Sequence, residues 1–115
     1  MNKVYYLKTC STCQRILGEL PSNNLELQNI KTELINESQI DEMHNLAGSY
    51  ESLFSRKAMK YRAMGLHEKE LLEQDYRSLI LEEYTFLKRP VFLIDGEIFI
   101  GNAKKVVEQV KEKLS

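Results

Sequence analysis

Residues 3–17 read "KVYYLKTCSTCQRIL". The first five, "KVYYL" (3–7), are a β-branched and aromatic run, the composition of a short buried strand. The apolar positions then change period. Cys13, Ile16, Leu17 and Leu20 fall at i, i+3, i+4 and i+7, which is one face of a helix. Pro21 and "SNN" (22–24) are expected to stop that helix. "LELQNI" (25–30) alternates Leu25 and Leu27 with polar residues, as a second strand does. Strand, short helix and strand make a βαβ unit, which favours a parallel pair joined by a right-handed crossover.

The chain has two cysteines, Cys10 and Cys13, and both sit at the strand-to-helix junction. A helix N-terminus carries roughly half a positive charge and several unpaired amides, and both stabilise a thiolate. Residues three apart on a helix have Cα atoms on the order of 5 Å apart, a separation a disulfide tolerates. The spacing therefore predicts a pair that cycles between dithiol and disulfide. Cys10, nearer the helix end and solvent, is the candidate nucleophile, and Cys13 the candidate resolving thiol. Ser11 or Thr12 is expected to satisfy free amides at the helix start. Two plainer readings stand beside this one. Cys13 shares the apolar face with Ile16 and Leu17, as a small buried hydrophobe does. A zinc site needs four ligands, and the two histidines, His44 and His67, lie far off in sequence.

Residues 38 to 85 read as helical. "SQID" (38–41) resembles a capping box ahead of an apolar stripe of Ile40, Met43 and Ala47. "SRKAMKYRAMG" (55–65) reads as a basic helix ended by Gly65, and "EKELLEQDYRSLILEEY" (68–84) as one or two more helical segments. "PVFLI" (90–94) and "EIFI" (97–100) are strands joined by Asp95-Gly96, a strong two-residue hairpin signal. "NAKKVVEQVKEKL" (102–114) is an amphipathic helix with Ala103, Val106, Val107, Val110 and Leu114 on one face and Asn102 as expected N-cap. The element order β-α-β, helical block, β-β-α is that of an α/β protein with a thioredoxin-like core, a mixed four-stranded sheet and a helical insertion subdomain. The whole of 1–115 is read as a single domain, with the core at about 1–35 and 86–115 and the insertion at about 36–85.

At 115 residues the chain has room for one domain. A 43% apolar content supports a core without staples, and a net charge of -1 argues against binding nucleic acid through bulk positive charge. No apolar run approaches the roughly 20 residues that span a bilayer, and "MNKVYYLKTC" lacks the apolar region of a secretory signal. A cytoplasmic, monomeric protein is expected, with no bound cofactor, metal or membrane.

A second candidate centre is "KRP" (88–90). Pro90 suits the first position of a strand because it has no amide to donate to the ladder. In a thioredoxin-like core the loop before that strand faces the cysteines. Arg89 then lies beside the thiolate, where a guanidinium grips a tetrahedral oxyanion bidentately. Arg56, Lys57, Lys60 and Arg62 form a basic cluster that reads equally as a solvated face or an anion-binding one.

At these residues the sequence resembles the arsenate reductase (ArsC) family, which includes the Spx-type regulators. The motifs are Cys10 after the first strand, "SRKAMKYRAMGL" (55–66) and "FLKRPVFLIDGEIFIG" (86–101), and the likeness spans essentially the whole chain. It implies a nucleophile at Cys10, with Arg56 and Arg89 as the first two of three oxyanion-holding arginines. Thr12, Arg15, Lys60 and Pro90 join them as candidate substrate-binding positions. It also favours a cis Arg89-Pro90 bond. It implies a small oxyanion or thiol substrate, and glutathione with glutaredoxin, or thioredoxin, as reductant and redox partner. The third family arginine falls near Gly101-Asn102, where this chain has none, and Tyr6 stands where a histidine is common. Cys13 and Gln14 replace a serine and an arginine, with Arg15 shifted one along. The CxxC is more like that of Spx proteins, which sense oxidation and bind RNA polymerase, although Spx proteins continue with a longer C-terminal segment. An Spx-like redox-switched regulator is thus the alternative to a reductase of arsenate or a related thiol or disulfide substrate. A further reading is a protein that handles glutathione conjugates or protein disulfides.

Overall fold

The computed structural model describes residues 2–21 and 25–114. It divides into two compact units, Met1–Leu34 with Arg89–Ser115, and Ile35–Lys88.

The first unit is built on a four-stranded sheet. Strand β1 (Asn2–Tyr6) leads to helix α1 (Ser11–Glu19) and strand β2 (Leu25–Asn29), which pairs parallel to β1. The sheet order is β2-β1-β3-β4 once β3 (Val91–Ile94) and β4 (Glu97–Ile100) are added, both through antiparallel pairs. The predicted helix stop is described at Pro21, and the "SNN" after it lies outside the described residues. Val4 and Tyr5 point to opposite faces of β1, and both are buried, as are all four residues of β3. That explains why the two central strands read as continuous apolar runs.

Asp95 (φ 51°) and Gly96 (φ 79°) both take left-handed backbone, which matches the right-handed twist of the two strands they join. Helix α5 (Lys104–Leu114) closes the unit. The core on one sheet face is Val4, Phe92 and Ile94 from the strands, Ile16 and Leu20 from the α1 segment, and Val107 and Val110 from α5. Each such side chain contributes about 1.5–3 kcal/mol relative to remaining exposed. Glu19 accepts from Arg15 at 2.9 Å and from Lys111 at 2.8 Å, so one carboxylate bridges α1 and α5.

Two details of this unit differ from expectation. Leu27 was expected on the apolar face of its strand but is half exposed, while Gln28 is buried and donates to the Glu33 carbonyl at 3.0 Å. Among the described residues β2 lies at the edge of the sheet, with β1 as its neighbour. Helix α5 begins at Lys104, and its first turn closes onto the Ala103 carbonyl, so Asn102 lies one residue too early to cap it.

The second unit holds α2 (Glu37–Ala47), the short α3 (Met59–Ala63) and α4 (Glu73–Glu82), with single 3₁₀ turns at 51–53, 66–68 and 84–86. Its centre is Phe54, which stacks on Phe86 at 5.0 Å and meets Tyr76 at 4.9 Å. Arg77 on α4 grips Asp41 on α2 with two bonds of 2.9 and 3.1 Å, and the Tyr50 hydroxyl donates to the same carboxylate at 2.6 Å. Together these hold the Asp41 carboxyl down at about 2, led by the Arg77 hydrogen bonds and then the Tyr50 one.

The capping box of α2 is Asn36 with Gln39, not "SQID". Asp41 of that stretch is turned to Arg77 instead. The basic helix expected over 55–65 shrinks to five residues. Phe54 is extended and bridged to Leu87, the Ser55 amide donates to the Phe86 carbonyl at 2.7 Å, and Ala58 is extended as well, so Arg56 and Lys57 precede the helix. Among the described residues no helix is long and apolar enough to cross a membrane.

Candidate active site

Cys10 is the N-cap of α1, in extended conformation at φ -88° and ψ 114°. Its amide closes a turn onto the Leu7 carbonyl at 3.0 Å, and its carbonyl receives the Gln14 amide at 3.1 Å. Ser11 and Thr12 therefore lie inside the first turn, and neither is the cap that sequence reading expected. The residue facing the free amides is the cysteine itself. Both cysteines are free thiols, Cys10 partly exposed and Cys13 fully buried.

The two thiols are driven apart in acidity. Burial pushes the Cys10 thiol up, but four effects outweigh it: the Cys13 amide, the Cys13 thiol, the Thr12 amide and the Arg89 charge. Its pKa falls below the ordinary 9.0. Cys13 goes the other way, pushed up to about 11 by burial first and then by its contact with Cys10, against the opposing Leu7 backbone and Arg89. An accessible, ionisable sulfur thus sits one helical turn ahead of a buried, protonated one.

Arg89 reaches this pair from the segment before β3, and its charge acts on both sulfurs. The Arg89-Pro90 peptide bond is cis. Pro90 is buried, and its carbonyl accepts from the Gly101 amide at 2.9 Å. Thr12 contributes its backbone amide to the site. Arg15 is exposed on α1 and engaged with Glu19. Arg56 and Lys60 belong to the helical unit, where Arg56 bonds Glu51 at 2.7 Å and the Tyr76 hydroxyl at 3.0 Å, and Lys60 bonds Glu83 at 2.6 Å. Sequence reading did not foresee the acidic partners of these cations, nor the polar contacts on the loop before Cys10. Gln14 donates from Nε2 to the Lys8 carbonyl, and Asn29 accepts from the Lys8 amide at 3.2 Å. An asparagine ending a strand ahead of a turn was the one available signal. Among the described residues no three His, Cys, Asp or Glu side chains gather as a metal site.

The model of the ArsC family matches residues 5–110. The chain belongs to the ArsC family. Among solved structures it is similar to the YffB protein, at TM-score 0.82 and 18% identity over 100% of both chains. It is similar to an arsenate reductase from Vibrio cholerae, at TM-score 0.79 and 16% identity over 98% of this chain and 97% of that one. A structure from Streptococcus mutans, described as a possible arsenate reductase, follows at TM-score 0.76 and 25% identity over 96% and 97%. No curated protein matches the chain. The ArsC chain thus has the expected α/β architecture, the family's thioredoxin-like fold with its mixed four-stranded sheet. The family is one of thiol-dependent reductases, whose members use thiol redox partners and oxyanion substrates.

Proposed function

We propose that this ArsC-family chain is a thiol-dependent reductase with Cys10 as nucleophile, acting on arsenate or a related oxyanion, thiol or disulfide substrate. The observation that carries the reading is that Cys10 lies partly exposed at the N-cap of α1, one turn ahead of the fully buried Cys13, in a chain of the ArsC family; the opposite shifts of the two thiols support it. With arsenate, the Cys10 thiolate forms a bond to arsenic as one oxygen leaves and takes up a proton as water. Arg89 offsets the negative charge carried by the oxyanion. Cys13 then attacks the Cys10 sulfur. The sulfur–arsenic bond breaks, its electron pair reduces arsenic(V) to arsenic(III), and the Cys13 proton passes to the departing arsenite. A Cys10–Cys13 disulfide remains, and a dithiol protein of the thioredoxin type, or glutathione with glutaredoxin, returns it to two thiols. With a disulfide substrate the first step is thiolate exchange, which releases one substrate thiol, and Cys13 displaces the other.

The test is arsenate-dependent NADPH oxidation with each donor system supplied in turn. Turnover with the parent chain and none with Cys10→Ser supports the reading, and equal rates for the two end it. The CxxC pair also supports a second reading, a redox-switched regulator that binds RNA polymerase. Capture of the polymerase that differs between oxidised and reduced chain favours that reading, and no capture in either state removes it.

A further inference from the structure

The loop that delivers Cys10 to the helix end is four residues long, Leu7 to Cys10. Besides its internal turn, in which the Cys10 amide bonds the Leu7 carbonyl at 3.0 Å, it is tied to the elements on either side. The Lys8 amide donates to Oδ1 of Asn29, the last residue of β2, at 3.2 Å. The Lys8 carbonyl accepts from Nε2 of Gln14 on α1. Gln14 holds the loop twice, because its own amide donates to the Cys10 carbonyl at 3.1 Å. Oδ1 of Asn29 also accepts from the Lys31 amide at 3.4 Å, so one carboxamide oxygen joins the turn after β2 to the loop before α1.

Lys8, Thr9 and Gln14 are exposed. Water would satisfy the same polar groups if either side chain were missing, and that exchange is nearly even in free energy. What water does not supply is position. The amides of Thr12 and Cys13 act on the Cys10 sulfur only while it stays within hydrogen-bond reach of them, and such bonds weaken steeply with distance and angle.

We propose that Gln14 and Asn29 are positioning residues for Cys10, fixing the Leu7–Cys10 loop from α1 and from β2 so that the sulfur stays on the Thr12 and Cys13 amides. This rests on the reading of Cys10 as the nucleophile. Both residues act through the backbone of Lys8, Gln14 also through that of Cys10.

The test is the pH profile of Cys10 alkylation by iodoacetamide in the reduced full chain, for the parent, Gln14→Met and Asn29→Ala. Methionine keeps the length of Gln14 without its donor, and alanine removes the Asn29 acceptor. Neither substitution touches Cys13 on α1 or Arg89 ahead of β3, the groups whose effects reach the sulfur. Expected is a drop of about three- to tenfold in rate at neutral pH, with an unchanged plateau at high pH where the thiol is ionised regardless. A merely structural loss moves the melting temperature and leaves this profile in place. A parent profile that bends below the ordinary cysteine range, matched by both variants, overturns the positioning role alone. A parent profile in the ordinary range overturns the reading of Cys10 and this proposal with it. Gln14 is exposed on a helix, so Gln14→Met keeps the test open even if Asn29→Ala fails to fold.

Discussion

The Cys13 thiol lies against the sulfur of Cys10, and their interaction works on the two groups in opposite directions, lowering Cys10 and raising Cys13. A donor beside a thiolate stabilises the charge, and the same donor becomes harder to ionise. The pair is thereby ordered in acidity, Cys10 ahead of Cys13.

Selective labelling follows from that order. At neutral pH a brief iodoacetamide pulse on the folded, reduced chain should modify Cys10 and leave Cys13 untouched, since Cys13 is fully buried as well as protonated. Peptide mass spectrometry reads both positions. The unfolded chain should label at both.

Removing the contact weakens the first thiol. Cys13→Ser keeps a hydroxyl donor at this position, and Cys13→Ala removes the donor altogether. Alkylation of Cys10 at neutral pH should slow in the alanine variant and stay closer to the parent in the serine one. The alkaline plateau should stay constant.

Arg89 is expected to act on the substrate more than on the fold. Losing one charge-assisted contact to an oxyanion costs about 1.5–3 kcal/mol, roughly 10- to 150-fold in kcat/KM for Arg89→Gln. Arg89→Lys should recover little, because an ammonium does not reproduce the two-pronged grip of a guanidinium. Steady-state kinetics with arsenate and the effective donor system measure both variants.

Acid stability is expected to report on the helical unit. The Asp41 carboxyl lies at about 2, below its ordinary 3.8, held there first by Arg77 and then by Tyr50. Its folded value is depressed, so its stabilisation is fully present above the unfolded value of 3.8 and is lost as pH falls towards about 2. Melting temperature should drop across that window, and Asp41→Asn should flatten the drop while lowering stability at neutral pH.

Sequence showed most where the determinants are local. Asp95-Gly96 specifies its hairpin with two residues, and Val107 and Val110 mark the buried face of α5 by spacing alone. It showed least where a partner arrives from elsewhere in the chain. The segment from Ser55 reads as helical, but the Ser55 amide is taken by the Phe86 carbonyl, thirty-one positions on, next to the Phe54–Leu87 bridge, and the helix starts only at Met59. Asp41 looked like part of a cap until Arg77 was found upon it. The strand-to-helix junction that carries Cys10 and Cys13 and the proline that follows Arg89 ahead of β3 were legible because both have recognisable patterns. The hold of Gln14 and Asn29 on Lys8 was not, since it exists only once loop, helix and strand have met.

The most direct test is a pH titration of the reduced chain that follows isotope-labelled cysteine Cβ resonances, with Cys10→Ser as control. The pair is coupled, so its two steps belong to both groups, and the serine variant assigns them. The expected result is a first ionisation below 9.0 that disappears in Cys10→Ser, and a second near 11. A first step that survives in Cys10→Ser, or a single step at the ordinary cysteine value, contradicts an activated sulfur at position 10.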